Sequence, residues 1–338
     1  MRYFLKCCGF QELGSVGEDG KAKRGRYLMS SQNDAVVDFF PPLSIEIPND
    51  TALLPIVPLY TRLKTYANYV YHNSKYTGTK AKHPRNEYRI YLNNEMEAHQ
   101  LYLKAEDIVV MRKSMLSSLS EFDGEQCVYY LDVVKDHSSA LYLMLNRIIE
   151  DYPIKGGYGM YDGELEFFED QVNDFEANLS TMDIHIDKSV TDRIRKSTDE
   201  NQANIFNPAT FRDFVLAGYG NACAVTGQLA EGILGMGVDV VYIMPKSAGG
   251  SCMPSNGIAL VKDLSLAFVR GEFTLSPRFE VMVHPECDNE QIRSYHLKQM
   301  RVPSNAFFRP APEAYATIEK KFMGHLLNNE RINIHECY

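Results

Sequence analysis

Arg85, Glu87 and Arg89 occupy every second position of RNEYR, the start of a strand-like run that follows the basic segment SKYTGTKAKHP at residues 74–84. Alternation in a strand sends these three side chains to one face and Asn86 and Tyr88 to the other. Two guanidiniums flanking a carboxylate suit the base edges of a DNA major groove. Arginine bonds bidentately to guanine, and glutamate accepts from the amino group of cytosine. Lys75, Lys80 and Lys82 suit phosphate oxygens, which add affinity and salt dependence without sequence information. Taken alone, an R-x-E-x-R triplet reads as a solvated edge strand with an internal ion pair, so its surroundings decide.

Those surroundings are basic in an acidic chain. The formal net charge is −9, which argues against a general nucleic-acid coat, but the charge is segregated. Between Arg62 and Arg89 seven Lys/Arg stand against one acid, Glu87, and between Lys21 and Arg26 four (Lys21, Lys23, Arg24, Arg26) stand against none. The acids gather instead in residues 161–187. Two basic loops in the first third of the chain form an electrostatic footprint for nucleic acid.

The elements that must position these loops follow from pattern. At 338 residues the chain predicts two domains, and with 45% hydrophobic residues it can fill two cores. RYLMS, IEIPN, YANYVYH, EYRIYL, DIVVMRK and QCVYYLDVV read as strands bounded by turn residues. SQNDAVVDFF and SSALYLMLNRIIEDY read as helices. Many short strands with two helices predict a small barrel or half-open sheet over residues 1–155. Residues 156–205 read as an acidic transition and linker. PATFRDFVLAGYG then opens a second module over 206–300 as a helix with Pro208 near its start and Gly220 at its stop. PEAYATIEKKFMGHLL predicts a last helix within 301–338.

Other classes are disfavoured. No apolar run approaches the roughly 18 residues of a membrane span, and MRYFLKCCGF lacks the apolar core of a secretion signal, so the expected location is the cytoplasm. The seven cysteines are scattered and form no C-x-x-C pair, which argues for buried thiols rather than disulfides or a cysteine-clamped zinc.

Two resemblances sharpen the reading. Gly25, Tyr27 and Leu28 after a basic turn, the Phe40-Pro41 pair ending a helix, and YHNSKYTGTKAKHPRNEYRI together resemble the EcoRII-type amino-terminal effector domains. That family shares its pseudobarrel with a large class of plant transcription-factor DNA-binding domains. The resemblance implies two loops gripping duplex DNA from the major groove. By position one grip is Lys23, Arg24, Arg26 and Tyr27, and the other is Lys82, Arg85, Glu87 and Arg89, with Lys75 beside it. The K-A-K-H-P stretch before Arg85 departs from the family's block.

Farther on, YGNACAVTGQ, VDVVYIMP, PSNGIAL and VKDLSLAFVRGEF resemble the HNH nucleases over Phe211 to about Val283. Cys223, Thr226, Gly227, Pro245, Pro254, Phe268, Gly271 and Phe273 match that scaffold. Such a site implies a hairpin and a helix clasping one Mg²⁺ or Mn²⁺, a histidine as general base and a second histidine on the helix. Here Tyr242 takes the place of the base and Ser265 that of the helical histidine, and only Asn256 of the signature is kept. Val269 replaces the aspartate that follows the family's phenylalanine, and Asp239, Asp263 and His284 are the nearest substitutes. A phenol with a reference pKa of about 10 is a poor base at neutral pH. The hairpin is expected from AVTG and DVVYIMP, with PSNGIAL crossing over to the helix.

The expected fold is thus α+β: a DNA-binding pseudobarrel followed by an HNH-like ββα module with flanking helices. The expected function is a sequence- or modification-specific double-stranded DNA-binding component of a restriction or anti-phage system. Its nuclease-like module is inactive or dependent on a partner subunit. The alternative is an active HNH endonuclease in which Tyr242 replaces histidine. A transcriptional regulator is the third reading.

Overall fold

The computed structural model describes residues 1–14, 26–30, 34–61, 63–73, 87–97, 102–116, 126–154, 156–178, 183–197, 202, 205–232 and 236–310. The chain divides into two compact units. The first is Met1–Ser117, Glu125–Leu179 and His185–Ile205; the second is Ser118–Gly124, Ser180–Ile184 and Phe206–Tyr338.

In the first unit the strands are β1 (Arg2–Cys7), β2 (Tyr27–Ser30), β3 (Thr51–Pro58), β4 (Leu63–His72), β5 (Glu87–Tyr91), β6 (Ile108–Leu116), β7 (Gln126–Val134) and β8 (Tyr158–Asp162). They run in the order β2-β5-β4-β3-β7-β6-β1-β8. The β3–β7 pair is parallel, with Ile56 opposite Tyr129, and the other neighbours are antiparallel. The sheet curls until its two ends share one core. Leu28 of β2 and Tyr158 and Met160 of β8 are buried in the same cluster as Phe4, Ile56, Tyr69 and Leu131. This is a barrel-like sheet in a mixed α+β unit, open between β2 and β8.

A short helix, α1 (Phe10–Leu13), bridges that opening chemically. The buried Glu12 carboxylate lies 2.9 Å from Lys6 Nζ on β1 and accepts from the Met29 amide of β2 at 2.8 Å. One carboxylate therefore ties β2 at one end of the sheet to β1, the strand beside β8.

After the short helix α2 (Asp34–Val37), the helix expected in SSALYLMLNRIIEDY is α3, which spans Ala140–Asp151. Ser139 caps it by accepting from the Tyr142 amide. The acidic segment is not a linker. It supplies β8, α4 (Glu166–Ala177) and α5 (Lys188–Arg195) to the first unit. The glutamates of α4 are held by the sheet: Tyr3 donates to Glu169 at 2.5 Å, Arg112 pairs with Glu169 at 2.5 Å, and Tyr130 donates to Glu176 at 2.5 Å. Acidic composition reads as a linker, but Phe168, Val172 and Phe175, at i, i+4 and i+7 spacing, bury one face of the helix.

Other expectations also shift. IEIPN forms bends and a turn rather than a strand, because Pro48 interrupts it and Asn49 takes φ +54°. The helix in SQNDAVVDFF is confined to Asp34–Val37 within the described residues. TALLPIVP is a full strand, β3, despite Pro55.

In the second unit α6 (Pro208–Gly218) opens with a reciprocal cap. Thr210 N donates to Asn207 Oδ1 at 3.0 Å and Asn207 N donates to Thr210 Oγ1 at 2.8 Å. Next come the antiparallel strands β9 (Val238–Tyr242) and β10 (Gly257–Val261), then α7 (Lys262–Val269), which packs on both strands. A second pair, β11 (Phe273–Leu275) and β12 (Val281–Val283), and α8 (Glu290–Arg293) follow. The hairpin differs from expectation. AVTG is a tight turn closed by Gly227 N donating to Cys223 O, and the second strand is the NGIALV run. The predicted tail helix lies outside the described residues.

Candidate functional site

In the first unit, β5 does what alternation requires. Tyr88 and Ile90 are buried inward, while Glu87, Arg89 and Tyr91 are half-buried on the outer face. The neighbours add to that face. Tyr27 of β2 lies opposite Tyr91, and His72 of β4 opposite Glu87.

The side chains form a connected ladder. Arg89 pairs with Glu87 and stacks its guanidinium 4.0 Å from the Tyr27 ring centroid. The Tyr27 and Tyr91 rings lie 6.0 Å apart, and Arg193 of α5 stacks 3.7 Å over Tyr91. His72 Nε2 is 2.8 Å from the Tyr91 hydroxyl. Stacking on an aromatic face leaves the in-plane N–H groups of a guanidinium pointing outward, where they can engage carboxylate, phosphate or a base edge.

Register also fixes where the basic segments attach. Tyr27, which follows residues 15–25, pairs with Tyr91, whereas residues 74–86 join Asn73 to Glu87. Tyr91, opposite Tyr27, and Glu87, opposite His72, mark the two ends of β5, about 13 Å apart at the usual strand rise.

Of the expected grip residues, Glu87, Arg89 and Tyr27 are brought together. Lys23, Arg24, Lys75, Lys82 and Arg85 lie outside the described residues. Arg26 is a correction. It is buried (8% exposed), with Nη2 2.7 Å from Glu97 Oε1 and with Nη1 and Nη2 donating to the carbonyls of Leu13 and Leu103. Its charge is consumed inside the fold. A basic run in sequence cannot distinguish this arginine from its neighbours, because its partner Glu97 lies 71 residues away.

In the second unit, the three signature positions separate. Tyr242 ends β9 with its ring flat on Phe211 of α6, at 4.3 Å and 2°. Its hydroxyl is 3.5 Å from Cys252 Sγ, and Lys246 Nζ stands 5.3 Å over the ring. Ser265 on α7 is 2% exposed, and its hydroxyl lies 3.0 Å from Asp239 Oδ2 and 2.8 Å from the Lys262 carbonyl. Asp239 and Tyr242 are three apart on one strand and so project to opposite faces. The hairpin pairs Ser265 with Asp239 and Tyr242 with Phe211 and Cys252.

Asn256 is wholly engaged in shaping the loop between the strands. Its Oδ1 accepts from Met244 N at 2.8 Å, and its Nδ2 donates to the carbonyls of Met244 and Ser251 at 3.0 and 2.9 Å. Gly250 threads this ring so closely that a Cβ there would meet Met244 O at 1.8 Å. Gly257 takes extended φ −127°, so Asn256-Gly257 makes no left-handed turn. Its glycine is needed for close approach, since a Cβ would lie 2.4 Å from Val215 and 2.8 Å from Phe211.

The residues present do not fit a one-metal clasp. Asp239 and Ser265 offer one carboxylate and one hydroxyl. Among the described residues no group of three or more His, Cys, Asp and Glu could hold a metal ion. The same residues contain no helix long and apolar enough to cross a membrane. Phe211, Cys252, Arg193 and His72 went unseen in the sequence; His72 and Tyr91 were findable only through strand register. No protein-family model matches the chain, and no curated protein matches it significantly.

Proposed function

We propose that the first unit is a reader of double-stranded DNA, sequence- or modification-specific, within a restriction or anti-phage system. The second unit is an HNH-like module without autonomous hydrolysis, inactive or reliant on a partner subunit for cutting. The observation that carries the reading is the Arg89–Tyr27–Tyr91–Arg193 ladder, with a basic segment attached at each end of β5. The stacked guanidiniums support a base-edge reader, and the basic runs at 21–26 and 75–89 of the sequence would supply the phosphate contacts.

For the second unit, support comes from how Tyr242 and Ser265 are occupied. The phenol lies packed on Phe211, and the serine hydroxyl is spent on Asp239 and Lys262. Neither can deprotonate water as an imidazole would.

The test is a gel shift beside a plasmid-cutting assay, on methylated and unmethylated DNA with Mg²⁺ or Mn²⁺. Salt-sensitive binding without cleavage is the expected result. Cleavage abolished by Tyr242→Phe would replace this reading with an enzyme of unusual chemistry, and absence of binding to any duplex would remove it. Tyr242→His and Ser265→His together are expected to give no nicking, because helical Ser265 packs on the Asp239 face of the hairpin while Tyr242 leaves the other face toward Phe211.

A further inference from the structure

We infer that the last turn of α5 is a third DNA-contacting element, in which Arg193 binds a backbone phosphate at the Tyr91 end of β5 with Arg195 and Lys196 beside it. The inference rests on the DNA-reading proposal and deepens it by adding residues that neither basic loop contains.

Three observations carry it. First, Arg193 is placed, not merely exposed. Asp187 caps α5 by accepting from Ser189 N at 2.7 Å and is itself held by Asn94 Nδ2 at 2.9 Å. Val190, Thr191 and Ile194 are buried, so the helix cannot roll away from the sheet. Second, the guanidinium lies face-on to Tyr91 at 3.7 Å, in contact with the same ladder that holds Arg89. Its N–H edges are left for an acceptor, and a phosphate takes two of them side by side. Third, charge is unbalanced there. Glu87 neutralises Arg89, whereas among the described residues no ion pair of Arg193 is present, and Arg195 lies 3.7 Å from Asp192. Cations at a helix C-terminus are ordinary complements to the helix dipole. That accounts for Arg195 and Lys196 but not for an arginine drawn across to a tyrosine of another element.

A nucleic-acid backbone is the occupant because it presents a row of phosphates, which Arg193, Arg195 and Lys196 of one helix end can meet together without reading sequence. Binding of the intact chain to a mixed-sequence 30-base-pair DNA duplex, measured by fluorescence anisotropy over a KCl series, tests it. Arg193→Gln should lower affinity several-fold and reduce the slope of log affinity against log salt by about 0.9, the value for one lost phosphate contact. Arg195→Gln, at an exposed position that cannot unfold the unit, should reduce the slope in the same direction. Arg147→Gln, an exposed arginine paired with Asp151 on α3, serves as the charge-matched control and should leave the slope unchanged. Wild-type binding with unaltered slopes in both the Arg193 and Arg195 variants overturns the third element while leaving the DNA reader intact. Wild-type failure to bind any duplex overturns both. A change seen with heparin and not with the duplex overturns the assignment to DNA.

Discussion

Replacing Arg26 by methionine separates a structural arginine from a DNA-binding one. Arg26 faces Glu97 with Nη2–Oε1 at 2.7 Å and Nε–Oε2 at 3.0 Å, and it satisfies the carbonyls of Leu13 and Leu103. Methionine keeps the apolar stem but leaves Glu97 buried, with the Leu103 amide as its remaining donor. Removing one partner of a buried pair costs about 3–5 kcal/mol, against a total stability of about 5–15 kcal/mol for a domain. With a urea dependence of about 1–3 kcal/mol per molar, the unfolding midpoint of the first unit should fall by on the order of 2 M. Far-ultraviolet circular dichroism of the intact chain in urea reads this directly. Removing both charges, as Arg26→Met with Glu97→Leu, should recover most of the loss, because the uncompensated carboxylate is the main penalty. A midpoint shift under about 0.3 M, well inside ordinary surface-substitution effects, would refute the burial argument. Loss of DNA binding in that same variant would return Arg26 to the grip.

Arg89→Ala should cost about 1–3 kcal/mol of specific binding, while Lys82→Ala should weaken all sequences alike and flatten the salt dependence; competition gel shifts distinguish the two. Gly257→Ala should destabilise the second unit by about 1–3 kcal/mol, since its Cβ would enter space held by Phe211 and Val215, and a lowered thermal midpoint would register it. Burial pushes the Cys8 thiol up, further helped by the nearby Glu12 carboxylate. Cys8 should therefore resist alkylation in the native protein and react only after denaturation, as peptide mass mapping would reveal.

What the sequence made legible was what short-range pattern determines. Strands QCVYYLDVV and EYRIY appear where alternation and turn residues place them, and α3 and α6 begin at their polar caps, Ser139 and Asn207. What stayed hidden depends on partners far along the chain. Arg26 needs Glu97 to be recognised as internal, and the acidic helix α4 needs Tyr3, Arg112 and Tyr130 to be recognised as packed. The hairpin was mispaired because AVTG has strand-like composition, yet Gly227 at φ +80° commits it to a turn. At the signature positions, residue type gave the loss of imidazole, but only register revealed that Asp239 and Tyr242 point apart.

The place of β1 in the sheet has a consequence for how the protein is made. Among the described residues its strand neighbours are β6 and β8, with Arg2 facing Asp162 and Cys7 facing Ile108. By chain order β1 must wait for about 155 later residues before its second edge is covered, on the order of ten seconds or more at 5–20 residues per second. Until β6 is made both edges of RYFLKC are open, and until β8 is made one still is, which leaves an edge able to pair with another chain. Non-local closure of this kind also slows folding itself. The acidic segment, by delivering β8 and α4 last, ends that exposure: it acts as the clasp that turns a nascent, adhesive sheet into a finished one.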